Sequence, residues 1–132
     1  MHRHTYDRGV HLLHLPHRTA VASDVVALVV FVTIGLLNHR GGVSATGYAR
    51  DALPILACWL LAAGTFDLYR RPRSRALLGT WLAGVTGGVA IRALTLWRFE
   101  GDDVVFLCVA LGFTLLFVVV FRALAGLAPR LA

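Results

Sequence analysis

Three ionisable residues stand inside otherwise apolar stretches of this chain: Asp24, Asp67 and Arg92. At the centre of a membrane span such a side chain costs about 2.5–3.5 kcal/mol, so each needs a partner or a task. A carboxylate at that depth can bind or relay a cation or a proton, and a guanidinium can neutralise an acid. Asp24 lies six residues beyond Arg18, about 9 Å deeper along a helix. It shares a helical stripe with Leu28, Phe31, Gly35 and His39 that should face the interior of a bundle. Two readings stay open for Asp24, a place in a permeation pathway and a structural hydrogen-bonding role.

Arg92 repeats at four-residue spacing behind Gly84 and Gly88, with Trp81 and Thr95 on the same side. Glycines at that interval let a neighbouring backbone approach closely, so Gly84 and Gly88 are candidate helix-packing residues and Arg92 lies beside their contact. The other reading of Arg92 is a side chain snorkelling toward headgroups or Glu100. In helices of alternating direction, Asp24 and Arg92 differ by about 13 Å in depth, beyond direct pairing without strong tilt. Arg92 is closer in depth to Asn38 and His39. The candidate intramembrane polar site is therefore Asp24, His39 and Arg92. Asp67 precedes Arg70 and Arg71 by three and four residues, the spacing of an interfacial ion pair on a helix.

The rest of the chain offers little further chemistry. Residues 1–17 contain five histidines, and His11 and His14 stand one turn apart. Zinc usually needs three or four ligands in a rigid frame, so the segment reads as a polar leader with no metal. Phe106, Phe113, Phe117 and Phe121 form an aromatic packing stripe. Cys58 and Cys108 read as separate buried thiols. No P-loop, dinucleotide fingerprint, zinc-protease or Cys-x-x-Cys motif is present. No catalytic residue and no cofactor is assigned, and a non-enzymatic protein is expected.

The elements that must position these residues are four apolar runs, Thr19–Leu37, Ala52–Tyr69, Ala76–Trp97 and Val104–Phe121. A hydrocarbon core about 30 Å thick needs about 20 helical residues. The runs have 19, 18, 22 and 18. Short connections make consecutive helices antiparallel neighbours. The expectation is an all-α, integral membrane, four-helix up-down bundle, with spans at about 19–38, 52–69, 76–97 and 103–124. These form a transmembrane domain over 19–127, between a leader at 1–18 and a tail at 128–132. A cleaved signal peptide is a poor reading of the first run, because its apolar stretch exceeds the usual 7–15 residues or so.

Composition agrees with lipid as the solvent. The hydrophobic fraction is 58 % and the mean hydropathy is +0.72. All thirteen basic residues are arginine, and the net charge is +6. They lie mainly in loops and flanks, so the expected partner is a lipid bilayer with anionic headgroups, and no nucleic acid. Arg3, Arg8, Arg18, Arg70, Arg71, Arg73, Arg75, Arg122 and Arg130 fall on one side, against Arg40, Arg50 and Arg98 on the other. Excess arginine in short loops stays cytoplasmic, which places both termini in the cytosol.

These residues resemble a prokaryotic membrane family, domain of unknown function 3054. The resemblance runs from about Ser23 to Arg122. It rests on Asp24, Gly35 and His39 in the first span, Pro54, Trp59 and Tyr69 in the second, and Trp81, Gly84, Gly88 and Arg92 in the third. Cys58 stands where the family pattern has glycine. The resemblance implies a multi-pass protein of a prokaryotic cell membrane and brings no activity with it. Two functions remain: permeation of an ion, proton or small solute with Asp24 in the pathway, or a non-catalytic accessory or scaffold subunit. In the second, the Gly84/Gly88 face would dock on a partner or make a homo-oligomer.

Overall fold

The computed structural model describes residues 14–40, 44–96 and 102–131, though not the side chains at the outermost helix ends. It contains four helices: α1 (His17–Arg40), α2 (Ala45–Thr65), α3 (Ser74–Leu96) and α4 (Asp102–Leu131). No strand occurs among the described residues. The fold is an all-α bundle. Each helix packs on its sequence neighbours, α4 closes back on α1, and among the described residues the diagonal pairs do not meet.

Contacts set the directions. Along α3, Gly79 faces Phe66, Gly84 faces Trp59 and Gly88 faces Ile55, so α2 and α3 are antiparallel. Asp24 meets Arg122 and Phe31 meets Phe117, so α1 and α4 are antiparallel. The indole of Trp81 donates to the carbonyl of Leu111, and Arg92 lies over the Phe106 ring, which orients α3 against α4 in the same way. The start of α1 and the end of α4 are therefore at one end of the bundle.

Among the described residues, three helices are long and apolar enough to cross a bilayer: His17–Asn38, Ser74–Thr95 and Val104–Ala128. Large apolar side chains point outward on all four, among them Ile34, Leu61, Leu82 and Leu116. In water such exposure would be an aggregation hazard; in lipid it is solvation.

The second helix departs from the expected span. It starts seven residues before Ala52, at Ala45, because the Ser44 side chain accepts a hydrogen bond from Gly47 N–H at 3.1 Å and caps it. It stops at Thr65 and not at Tyr69. Asp67 takes the left-handed conformation, φ 54°. The Leu68 N–H then reaches the Ala63 carbonyl at 2.9 Å, and the Asp67 N–H reaches Gly64 at 3.4 Å. That pair of bonds is a Schellman ending, which satisfies carbonyls the helix would otherwise leave bare. Leu68 is buried behind it. Arg50 and Asp51 interrupt the apolar character of the first half, so α2 falls short of the composition of the other three.

Glycine explains the closest helix pair. A methyl group at Gly84 would lie 2.9 Å from Trp59 Cα, and one at Gly88 would lie 2.8 Å from Ile55 Cα. Only a residue without a Cβ permits that backbone approach. The Gly84/Gly88 face expected to serve homo-oligomer contact is thus filled by α2 of the same chain.

Candidate functional site

Two polar clusters are built into the bundle, one toward each end. The first is centred on Asp24. On α1 the residues Ala20, Ser23, Asp24, Ala27, Leu28, Val32 and Leu36 recur at helical spacing, and all are buried. Small neighbours at Ala20, Ser23 and Ala27 leave room for a large partner. That partner is Arg122 of α4. Its Nε donates to Asp24 Oδ1 at 2.7 Å, and its Nη2 donates to Oδ2 at 2.6 Å. The relative exposures of the two side chains are 1 % for Arg122 and 0 % for Asp24. This planar, two-pronged match is the strongest geometry a carboxylate can have with a protein cation.

Two aromatic donors complete the cluster. The Tyr69 hydroxyl donates to Asp24 Oδ2 at 2.8 Å and accepts from Trp59 Nε1 at 3.1 Å. Tyr69 arrives there because the Schellman turn at Asp67 folds the chain back under α1 and α2. The His17 ring stands edge-on to Tyr69, with centroids 5.7 Å apart. Asp24 therefore carries three hydrogen bonds and a matched charge.

The second cluster lies at the opposite end. Arg92 Nε of α3 donates to Asp51 Oδ1 of α2 at 3.0 Å. Arg50 Nε approaches the same oxygen at 3.8 Å. The Arg92 guanidinium also sits 4.8 Å from the centroid of Phe106 on α4, a cation–π contact. Arg92 is therefore held by Asp51 rather than left to snorkel.

A cavity of about 370 Å³ opens beside this cluster. Its walls are α1, through Phe31, Gly35 and Asn38, and α4, through Phe106, Phe113 and Phe117. Asp51 and Arg92 form its polar end. A methyl group at Gly35 would meet nothing within 4 Å. The helices α1 and α4 are thus pinned together near the termini by Asp24 and Arg122, and stand on either side of a cavity at the far end.

The residues singled out from the sequence divide between these places. Asp24 and Arg92 belong to different clusters and do not meet. The His39 side chain lies outside the described residues, as do Glu100 and the leader histidines before His14. Asp67 makes no ion pair with Arg70 or Arg71 among the described residues. The helix ends two residues before it, so the three- and four-residue spacing no longer places those side chains on one face. Asp67 works through its backbone instead, and its carbonyl accepts from Arg71 N–H at 2.8 Å. Both cysteines are free. Among the described residues, no three potential ligands gather to hold a metal.

Sequence reasoning missed Arg122, Tyr69, Trp59 and Asp51 as partners. Arg122 was counted as a flank, yet six apolar or small residues, Ala123–Ala128, follow it and mark it as internal to a longer helix. No curated protein and no solved structure matches the chain. The model of the family described as "Protein of unknown function (DUF3054)" matches residues 21–125, and the chain belongs to that family.

Proposed function

We propose that this chain is a multi-pass protein of a prokaryotic cell membrane that admits a small membrane-partitioning solute to the cavity between α1 and α4. In this reading the Asp24–Arg122 pair is the gate at the cytoplasmic end. The observation that carries it is the asymmetry of one helix pair, locked at one end and parted by a cavity at the other. Ligand sites in helical bundles have this size and this mixture of aromatic wall and few polar groups. Asp24 remains in the pathway as half of a latch, since its bound guanidinium leaves it no charge to offer a passing cation.

The helix directions support four crossings. Both α1 and α3 run antiparallel to α2, hence parallel to each other. Two parallel crossings require the chain to return between them, and α2 is the returning segment. The burial of Asp51 against Arg92 lowers what its charged first half would cost in lipid. With four spans, and eight arginines against three once the buried Arg122 is set aside, both termini face the cytoplasm. The Arg70–Arg75 turn then meets anionic headgroups. The packing of α2 on the Gly84/Gly88 face weighs against the scaffold reading. No catalytic residue, cofactor or metal enters the proposal.

Flux in reconstituted vesicles tests it. The probes are protons, followed by an internal pH dye, and a fluorescent single-chain lysophospholipid, followed by quenching from one leaflet. Wild type should move at least one of them faster than protein-free vesicles, and Gly35→Leu, which fills the cavity, should abolish the gain. Opening the gate with Asp24→Asn should change the rate. Equal rates in wild type, Gly35→Leu and Asp24→Asn would overturn the permeation reading.

A further inference from the structure

The cavity is polar at one end only, where Asp51, Arg92 and Asn38 line it, and Arg50 stands behind that lining, beside Asp51. Two guanidinium groups, Arg92 and Arg50, converge on one oxygen of Asp51 at 3.0 and 3.8 Å. Among the described residues no second carboxylate joins them, so one negative charge faces two positive ones. Nε and Nη2 of Arg50 are buried and have no hydrogen-bond partner among the described residues. A buried donor left unpaired is unfavourable, and a guanidinium prefers a planar or tetrahedral anion that can take two of its N–H groups at once. The Asn38 side chain stands at the same end. Everything beyond is apolar, walled by Phe31, Phe113 and Phe117. At Phe113 and Val109 the wall merges with the lipid-facing surface, where these two side chains are 50 % and 48 % exposed. A molecule could therefore enter sideways from the bilayer.

We infer that the cavity takes a single-chain amphiphile with an anionic head, a carboxylate or a phosphate. The head lies against Arg92, with Arg50 adding its charge from beside Asp51, and the chain lies along the phenylalanine wall between α1 and α4. The inference rests on the cavity being a binding site, as proposed above, and adds the chemistry of what it binds. Asp51 has the complementary task. It holds Arg92 in place, so that the cluster keeps one spare positive charge at a fixed position.

Photolabelling in proteoliposomes separates the two readings. The probes are a long-chain fatty acid bearing a diazirine at mid-chain and the corresponding fatty alcohol. The acid should label peptides covering 32–38 and 106–117 saturably, and excess unlabelled acid should compete at least tenfold better than excess alcohol. Arg50→Gln changes the less buried of the two arginines and should weaken competition by the acid roughly tenfold, with the alcohol unaffected. Gly35→Leu should remove saturable labelling by both, and circular dichroism should show that its helices remain. A single-chain phosphate should compete as the acid does. If alcohol and acid label and compete equally, the anionic head is overturned while the cavity stands as a binding site. Absence of saturable labelling on either segment would overturn the site itself, whatever the flux measurements give.

Discussion

Asp24 and Arg122 are 98 residues apart in the chain and joined by two hydrogen bonds of 2.7 and 2.6 Å, with neither side chain open to its surroundings. An ion pair this deep is held by geometry, because each partner alone would be an uncompensated buried charge. Arg122→Gln or Asp24→Asn should each lower stability by about 3–5 kcal/mol. The paired replacement Asp24→Leu/Arg122→Met leaves no stranded charge and should recover most of the loss. Tyr69→Phe removes one bond to the carboxylate and strands the Trp59 N–H, for a loss of about 1–3 kcal/mol. Unfolding by denaturant in detergent, read by circular dichroism, checks all four. A double variant no more stable than the single ones would show that the pair is not the source of the loss.

Gly84 and Gly88 sit where α3 and α2 touch backbone to backbone. Gly84→Ala and Gly88→Ala should each destabilise the protein, by about 1–3 kcal/mol, since the methyl has no flexible neighbour to displace at the Cα atoms of Trp59 and Ile55. Gly35→Ala faces open space and should be neutral or stabilising by about 0.4–1 kcal/mol. The detergent-solubilised mass should stay unchanged in all three. A drop in mass for Gly84→Ala would restore the second copy that α2 replaces here.

At Asp67 the left-handed backbone, not the carboxylate, is the point. A left-handed residue with a Cβ costs about 1–2 kcal/mol, which glycine avoids and which aspartate and asparagine tolerate through local hydrogen bonds. Asp67→Gly should therefore be at least as stable as wild type, and Asp67→Ala less stable than Asp67→Gly by about 1 kcal/mol. Asp67→Asn should match wild type at low and high salt alike. A salt-dependent loss in Asp67→Asn would reinstate an ion pair with Arg70 or Arg71.

Much of the bundle is written in the order of apolar runs, because in lipid the length of a run and the helix it forms are the same constraint. The α2 boundary escaped that logic. Phe66, Leu68 and Tyr69 are apolar enough to extend a span, and nothing in hydropathy records that Asp67 would turn left-handed between them. The partners escaped for another reason. Depth along a helix can be counted from sequence, which puts Arg92 and Asn38 at one level, and both line the same cavity. Rotation about the axis cannot be counted without knowing the neighbours. That angle decides that Asp24 meets Arg122 and that Arg92 meets Asp51.

The Asp24–Arg122 pair lies toward the cytoplasm and the cavity toward the outside only if the chain crosses four times with its termini inside. The weak member is α2, whose apolar portion after Asp51 runs from Ala52 to Thr65, about 21 Å at 1.5 Å per residue. It reaches across when Arg50 and Asp51 lie within the outer interface, with Asp51 paired to Arg92. On a Cys58→Ala/Cys108→Ala background, single cysteines at Thr46 and Ser74 separate the cases. Both positions are exposed, at opposite ends of the bundle. Thr46→Cys should react with a membrane-impermeant maleimide in intact cells, and Ser74→Cys should react only after permeabilisation. Labelling of both in intact cells would mean that α2 does not cross. The reverse pattern would place Asp24 and Arg122 in the outer leaflet, with the Arg50–Asp51–Arg92 cavity opening from the cytoplasmic half.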